Sequence, residues 1–80
     1  PLLKQAARIL GPYGGRCNCL TFGGIKGSQN KKFIEKYSKK TPQGKMIEIE
    51  EVIKMIFWLF NDSPRSINGE NIMVDGGFSC

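Results

Sequence analysis

The sequence predicts an α/β protein in which a parallel sheet carries helices on its faces. The predicted elements run helix, strand, loop, helix, helix, strand, an alternation typical of parallel sheets. The last strand, Ile72–Val74, is apolar without interruption, as expected for a strand that is buried on both faces. Two strands are too few for a parallel sheet, so we expect further protein beside them.

The composition is that of a small folded chain. It has 80 residues, of which 40% are hydrophobic, and a formal charge of +5. A chain of this length buries about 60–65% of its unfolded surface, so a core of its own would be marginal. The longest apolar run, Met55–Phe60, is far below the roughly 20 residues of a membrane helix, and the first residues do not resemble a signal peptide. We therefore expect a cytoplasmic protein that does not contact the membrane.

The first predicted element is the end of an amphipathic helix over residues 2–10, where apolar side chains recur at spacings of three and four. Gly11 and Pro12 are expected to end it, because Gly suits the position after a helix cap and Pro cannot extend the hydrogen-bond ladder. The chain begins with Pro1 rather than Met, which predicts that it is a piece of a longer polypeptide.

A short strand is predicted over residues 16–21, and it contains Cys17 and Cys19 on one face. The sequence has three cysteines and no histidine, and the spacing of this pair is not that of a zinc knuckle. We therefore predict no metal site and interpret the cysteines as reduced side chains packed in the interior of a protein from a reducing compartment.

The glycine-rich loop Phe22–Ser28 is the most suggestive element for function. It follows a strand, and the ligands of open α/β sheets bind beyond the carboxyl ends of the strands. Its glycines permit positive φ angles and a close approach of the backbone to a ligand. The spacing differs from the G-x-G-x-x-G fingerprint, so on spacing alone a flexible connector explains the loop as well.

A second helix is predicted over residues 31–40, with Asn30 as its cap and Thr41-Pro42 as its end. Lysines surround an apolar stripe that consists of Phe33, Ile34 and Tyr37. We interpret the stripe as a core contact and the lysines as a solvated face. The alternatives are that the lysines attract a nucleotide or another anionic substrate, or bind nucleic acid.

The strongest predicted helix spans residues 51–60. Its first turn contains three acidic residues that suit the positive end of a helix dipole, Glu48, Glu50 and Glu51. Val52–Phe60 leaves almost no polar face, and a helix that is apolar all round is buried all round. Eighty residues cannot surround such a helix, so we expect missing chain or a partner subunit to cover part of it.

Turns and one strand complete the chain. Asn61–Pro64 is predicted to form a turn with Pro64 at the first position of a helix, and Asn68-Gly69 a second turn. Asp75, which ends the last strand, is interpreted as a turn residue. The sequence contains no pair of a nucleophile and a base, so it predicts no catalytic residue.

Three segments resemble, in order, stretches of the short-chain dehydrogenase/reductase family. Residues Tyr13–Ile25 resemble the family's Tyr-Gly-Ile-Arg-Val-Asn-x-x-x-Pro-Gly stretch. Residues Thr41–Met46, followed by Glu50–Val52, resemble its Thr-Pro-Leu-Gly-Arg segment. Residues Ile67–Gly77 resemble its closing Ile-Thr-Gly-Gln-x-Ile-x-Val-Asp-Gly-Gly. Together the segments span the whole chain, which makes the resemblance specific.

This resemblance implies that residues 1–80 are the C-terminal portion of one Rossmann-type domain, a doubly wound parallel sheet. The parent protein would use NAD or NADP to interconvert a hydroxyl and a carbonyl by hydride transfer, on a small hydroxy or keto substrate related to sugars. The family's Tyr-x-x-x-Lys motif would lie upstream of Pro1, so this chain alone is expected to be inactive. Helix 51–60 and strand 71–75 would form the interface of a homodimer or homotetramer.

The resemblance also assigns cofactor binding to four residues, Phe22, Gly23, Ile25 and Gly27. Gly23 matches the glycine of the family's Pro-Gly, and Ile25 matches the residue whose backbone holds the nicotinamide carboxamide. Phe22 replaces the proline of that pair. Gly27 stands where a threonine often contacts the cofactor, so Ser28 would have to take over that contact.

Two functions from other classes also fit the sequence. The lysines between Lys26 and Lys45 fit a small basic module that binds nucleic acid or another anionic partner, which salt-sensitive binding would reveal. Helix 51–60 fits an oligomerisation piece that docks on an intact subunit, which co-purification with that subunit would reveal.

Overall fold

The computed structural model describes residues 2–80, so Pro1, on which the expectation of a longer polypeptide rests, lies outside the described residues. The order of helices and strands is the predicted one, and the α/β class is confirmed. The elements are α1 (Leu2–Leu10), a 3-10 turn (Gly11–Tyr13), β1 (Cys19–Phe22), α2 (Lys31–Ser38), α3 (Ile49–Asn61) and β2 (Asn71–Val74).

The two strands form a parallel sheet in which Cys19 lies opposite Asn71. At the other end of the pair, the Gly23 N–H donates to the Val74 carbonyl at 3.0 Å. N–H groups of alternate residues point to opposite sides of a strand, and the outer side of each strand has no partner strand among residues 2–80. Both outer edges of this two-stranded sheet are therefore open within the described residues.

Helix α1 ends at Leu10, as predicted, but the chain continues directly into a 3-10 turn instead of leaving the helix at Gly11. Pro12 lies inside the 3-10 turn, at an early position where its missing N–H is not needed. Gly14 then takes the left-handed conformation with φ of 78°, and the Gly15 N–H donates to the Leu10 carbonyl at 3.0 Å. The glycine that closes the helix is therefore Gly14 and not Gly11.

Strand β1 begins three residues later than predicted, because the residues before it bond to another part of the chain. The Cys17 N–H donates to Asn68 Oδ1 at 2.9 Å instead of joining the sheet. Cys17 therefore precedes the strand, and the two thiols do not share a strand face. The prediction that the cysteines are buried is wrong, since Cys19 and Cys80 are exposed and Cys17 is half-buried, and all three are free.

Helix α2 begins where the sequence predicts. The Phe33 N–H donates to Asn30 Oδ1 at 2.8 Å, which confirms the cap. The helix ends at Ser38, two residues early, and residues 39–41 continue as a turn in which the Thr41 N–H donates to the Ser38 carbonyl at 3.2 Å. The lysines on and after this helix are exposed, as predicted: Lys31, Lys32, Lys36, Lys39 and Lys40.

Helix α3 is longer than predicted and begins at Ile49, after Glu48. Its acidic first turn, Glu50 and Glu51, is confirmed. Pro64 does not begin a helix, so that prediction is wrong. The residues after it close a turn instead, because the Ile67 N–H donates to the Pro64 carbonyl at 3.1 Å.

Little apolar surface is buried within residues 2–80, where the buried hydrophobic residues are Ala7, Met46 and Ile47. No residue of α3 is buried. Strand β2 alternates exposed and half-buried residues, so the prediction that this strand is buried on both faces fails for this chain by itself. The physical reason is that no layer of the described chain lies over either element. No helix among residues 2–80 is long and apolar enough to cross a bilayer.

Candidate functional site

The candidate site lies where both strands end. β1 ends at Phe22 and β2 at Val74, and because the strands are parallel their carboxyl ends share one edge of the sheet. Ligands of α/β sheets bind at this edge. The loop after β1 and the turn after β2 touch each other there, since a Cβ added to Gly23 would lie 2.9 Å from the Cβ of Asp75.

The loop glycines provide space rather than unusual backbone angles. Neither Gly23, Gly24 nor Gly27 has a positive φ, so that part of the prediction is wrong. A Cβ on Gly24 would lie 2.5 Å from Cζ of Tyr37, closer than atoms of neighbouring side chains approach. The close approach that glycine permits here is therefore used by the protein's own side chains.

Ile25 carries a backbone donor that the chain leaves free. It forms a parallel bridge with Ile47, in which the Ile47 N–H donates to the Gly24 carbonyl at 2.9 Å and the Lys26 N–H donates to the Ile47 carbonyl at 2.7 Å. The N–H and C=O of Ile25 itself face the opposite side. The carbonyl accepts from Gln29 Nε2 at 3.0 Å, whereas the N–H has no partner among residues 2–80.

The four predicted cofactor residues differ in where they lie and in what their N–H groups bond. Phe22 is the last residue of β1 rather than the first of the loop. The Gly23 N–H is used by the sheet, and the Gly27 N–H donates to Gln29 Oε1 at 2.6 Å. Among the four, Ile25 is therefore the residue beyond the strand end whose N–H is free within the described chain.

Tyr37 is a site residue that the sequence analysis placed only in an apolar stripe. Its hydroxyl accepts the Gly24 N–H at 2.7 Å, and its ring stacks on Phe78 with centroids 5.4 Å apart and planes at 10°. Helix α2 is thereby joined to both the loop and the C-terminal turn. The signal in the sequence is a tyrosine rather than a phenylalanine on an apolar stripe, because a half-buried tyrosine hydroxyl needs a partner.

Asp75 is confirmed as a turn residue. Its Oδ1 accepts from the Gly77 N–H at 3.0 Å and its Oδ2 from the Ser79 N–H at 3.2 Å, while Gly76 and Gly77 have φ angles of 64° and 88°. A side-chain hydrogen bond from Ser79 is the largest cause that lowers the pKa of this carboxyl below its ordinary value of 3.8. Desolvation opposes it, and the N–H groups of residues 77–79 each add a smaller lowering effect.

The described residues arrange backbone groups to which a ligand could bind. They offer a free backbone donor at the carboxyl edge of a parallel sheet, and the carboxylate of Asp75 is held by the turn after β2. Among residues 2–80, no group of histidine, cysteine and acidic side chains is placed to hold a metal ion. An acceptor such as an amide carbonyl oxygen is the chemical group that this edge fits.

The comparison with known proteins matches nearly the whole chain. The family model described as enoyl-(acyl carrier protein) reductase matches residues 1–79. The chain is 33% identical over 82 residues to an L-rhamnose 1-dehydrogenase (NAD(P)(+)) of Azotobacter vinelandii, a match that covers 95% of this chain and 32% of that protein. It is 31% identical over 86 residues to (+)-borneol dehydrogenase 1 of Salvia officinalis, with 98% and 33% covered.

Solved structures agree with these relatives. A crystal structure of a short chain dehydrogenase from Leptospira borgpetersenii with bound NAD+ superposes with a TM-score of 0.88 at 37% identity, over 99% of this chain and 31% of that one. A 4-hydroxyisoleucine dehydrogenase complexed with NADH superposes with a TM-score of 0.84 at 25% identity, over 98% of this chain and 35% of that one. The present chain thus spans about a third of the length of the proteins it matches.

Proposed function

Because this chain belongs to the short-chain dehydrogenase/reductase family, we propose that it forms the C-terminal third of an NAD(P)-dependent oxidoreductase that interconverts a hydroxyl and a carbonyl group. The share of the relatives that this chain matches supports the size of the missing part, since the chain covers 32% of the L-rhamnose 1-dehydrogenase. In this proposal residues 1–80 belong to a single Rossmann-type domain, and the residues that move the proton lie outside the chain.

The free N–H of Ile25 is the observation that carries the proposal. It lies at the carboxyl edge of the parallel sheet, where this family of folds binds dinucleotides, and no described residue accepts its hydrogen bond. The carboxamide oxygen of nicotinamide fits this donor. When bound, the nicotinamide ring supplies the hydride transfer itself. This chain contributes a hydrogen-bond donor of fixed direction, which would orient the nicotinamide ring.

The other loop residues hold that donor in place. Gly23 joins the loop to β2, and Gln29 joins its two halves by accepting from the Gly27 N–H and donating to the Ile25 carbonyl. Phe22, at the end of β1, is proposed to flank the cofactor where the family has proline. Gly27 has no side chain to offer, so any hydroxyl contact at this end of the loop would come from Ser28.

We propose a small hydroxy or keto substrate, and the similarity to L-rhamnose 1-dehydrogenase supports a sugar as the first to test. A homodimer or homotetramer through α3 and β2 is proposed as well. Its support is a set of exposed apolar side chains on those elements: Ile49, Ile53, Ile56, Phe57, Phe60 and Met73.

The test is to express the complete polypeptide that carries residues 1–80 and to measure its binding of NAD+ and NADP+ by calorimetry. Formation of NADH or NADPH is then followed with a panel of sugars and simple alcohols. We expect micromolar to millimolar binding of at least one dinucleotide and oxidation of at least one alcohol. A complete polypeptide that binds neither dinucleotide would refute the proposal.

A further inference from the structure

We propose that Tyr37 is a positioning residue that aims the Ile25 N–H, by fixing the backbone of Gly24. This inference rests on the proposed function, since it concerns how the loop presents its donor to the nicotinamide. Tyr37 lies on α2, twelve positions beyond Ile25, and its hydroxyl accepts the Gly24 N–H at 2.7 Å. It does not need to touch the cofactor to act.

The geometry of one peptide unit carries the argument. The Gly24 carbonyl and the Ile25 N–H belong to the same planar peptide and point in opposite directions. Ile47 holds the carbonyl through its N–H at 2.9 Å, so the direction of the Ile25 N–H is fixed as long as this bond persists. The bond persists only if Gly24 keeps its backbone angles, and glycine is the residue with the widest choice of angles.

Tyr37 restricts the backbone angles that Gly24 can adopt. It holds the N–H of Gly24 on one side, while Ile47 holds its carbonyl on the other, so both peptide units around the glycine are fixed. The ring also occupies the space in which a side chain would lie, 2.5 Å from an added Cβ. The loop is therefore aligned by a side chain of α2 as well as by the sheet.

Tyr37 is itself held by two aromatic neighbours. Phe78 stacks on it at 5.4 Å and Phe33 at 6.2 Å between ring centroids. Phe78 lies in the turn that Asp75 holds by accepting from the N–H groups of Gly77 and Ser79. The direction of the donor thus depends on contacts among the loop, α2 and the C-terminal turn.

The experiment compares Tyr37→Phe with the unchanged complete polypeptide. This substitution removes the hydroxyl and keeps the ring, so the aromatic stack is preserved. Affinity is measured for the preferred dinucleotide and for ADP-ribose or its 2′-phosphate, which lack nicotinamide. We expect the dinucleotide to bind about 3- to 10-fold more weakly, in line with the loss of one hydrogen bond, and the ADP-ribose form to bind unchanged.

Tyr13→Phe is the matched control, since Tyr13 is 87% exposed and lies away from the loop; it should leave both affinities unchanged. Gly24→Ala is a second variant, because its added methyl group must displace the Tyr37 ring and should weaken dinucleotide binding in the same selective way. A Tyr37→Phe polypeptide that binds both ligands as before, or loses both equally, would overturn the inference. Failure of the unchanged polypeptide to bind any dinucleotide would instead refute the proposed function.

Discussion

At the scale of single residues, the loop glycines match the pattern of a cofactor loop but make room for the protein's own side chains. Gly23 and Gly24 lie in a glycine-rich loop after a strand, which is where a cofactor is expected. The space beside them is taken by Asp75 and Tyr37, at 2.9 and 2.5 Å from the missing Cβ atoms. What they leave for a ligand is the N–H of the next residue, Ile25.

Ile25→Pro tests the role of that N–H, because proline has none. Among residues 2–80, no backbone hydrogen bond uses the Ile25 N–H, so the substitution breaks none of them. We expect the complete polypeptide to bind its dinucleotide at least about 5-fold more weakly, the effect of one lost hydrogen bond. Ile25→Val keeps the N–H and a branched side chain and should change affinity less than about 2-fold. Equal affinities of the proline and valine variants in calorimetry would contradict the role.

The carboxylate of Asp75 predicts a pH dependence of stability. Its pKa is lowered in the folded chain by hydrogen bonds from Ser79 and neighbouring N–H groups, so the charged form stabilises the fold. This contribution is complete above the ordinary pKa of 3.8 and is lost as the pH falls through the lower, folded-state value.

Asp75→Asn should therefore reduce the stability of the complete polypeptide at neutral pH, and the difference from the unchanged protein should shrink as the pH falls below 3.8. The measurement is urea unfolding across that range. Asp62→Asn, at the exposed end of α3, is the control for the loss of a surface carboxylate. A difference between the Asp75 variant and the unchanged protein that stays constant with pH would contradict the assignment.

At the scale of elements, Arg16 joins the connector before β1 to the end of α3. Its guanidinium donates to the carbonyls of Pro64 at 2.9 Å, Ile67 at 3.2 Å and Leu59 at 3.3 Å, and to Ser63 Oγ at 3.3 Å. The Leu59 carbonyl lies in the last turn of α3, where a cation also suits the helix dipole, and the other two carbonyls belong to the turn that follows the helix.

Arg16→Ala should lower the free energy of unfolding of the complete polypeptide by about 2 kcal/mol, because the part-buried carbonyls of Leu59 and Ile67 lose a charged donor. Arg16→Lys should recover less than half of this, since an ammonium group cannot reproduce the planar fork. Arg65→Ala, which removes one exposed bond of 3.3 Å to the Gly14 carbonyl, should cost below about 0.5 kcal/mol. Equal costs for the Arg16 and Arg65 variants in denaturant titrations would disprove this role.

At the scale of the whole molecule, the chain is more extended and more exposed than a compact domain of its length. Its radius of gyration is 15.3 Å, compared with about 12 Å for a compact domain of 80 residues. Its accessible surface of 6043 Å² exceeds the roughly 4,800 Å² of a folded monomer of 8.9 kDa. The excess includes α3, where Phe57 and Phe60 are 64% and 80% exposed.

We therefore expect the isolated 80-residue chain to fold poorly or to associate through α3. Analytical ultracentrifugation should show species larger than a monomer, and denaturant unfolding should be broad. Phe57→Glu should weaken association about tenfold or more, because it places a charge in the apolar face, whereas Tyr13→Glu at an exposed aromatic elsewhere should not. A dilute monomer with one sharp unfolding transition would contradict the prediction.

The sequence by itself determined the local structure. Apolar spacing predicted α1 and α3, Asn30 predicted the cap of α2, and Asp75 with two glycines predicted the closing turn. Each of these features depends on neighbours within a few residues, which a sequence displays directly. The resemblance of three short segments also indicated the family, since their order and spacing are preserved along the chain.

Only the tertiary structure decided what each local feature is used for. The Arg16 bonds reach residues more than 40 positions away, the bond from the Cys17 N–H to Asn68 delays the start of the strand, and the hydroxyl of Tyr37 reaches Gly24, 13 positions away. The parallel bridge of Ile25 with Ile47 selects which backbone donor of the loop stays free. Such contacts depend on how separate elements pack, because hydrogen bonds are directional and are decided by distance in space rather than along the chain.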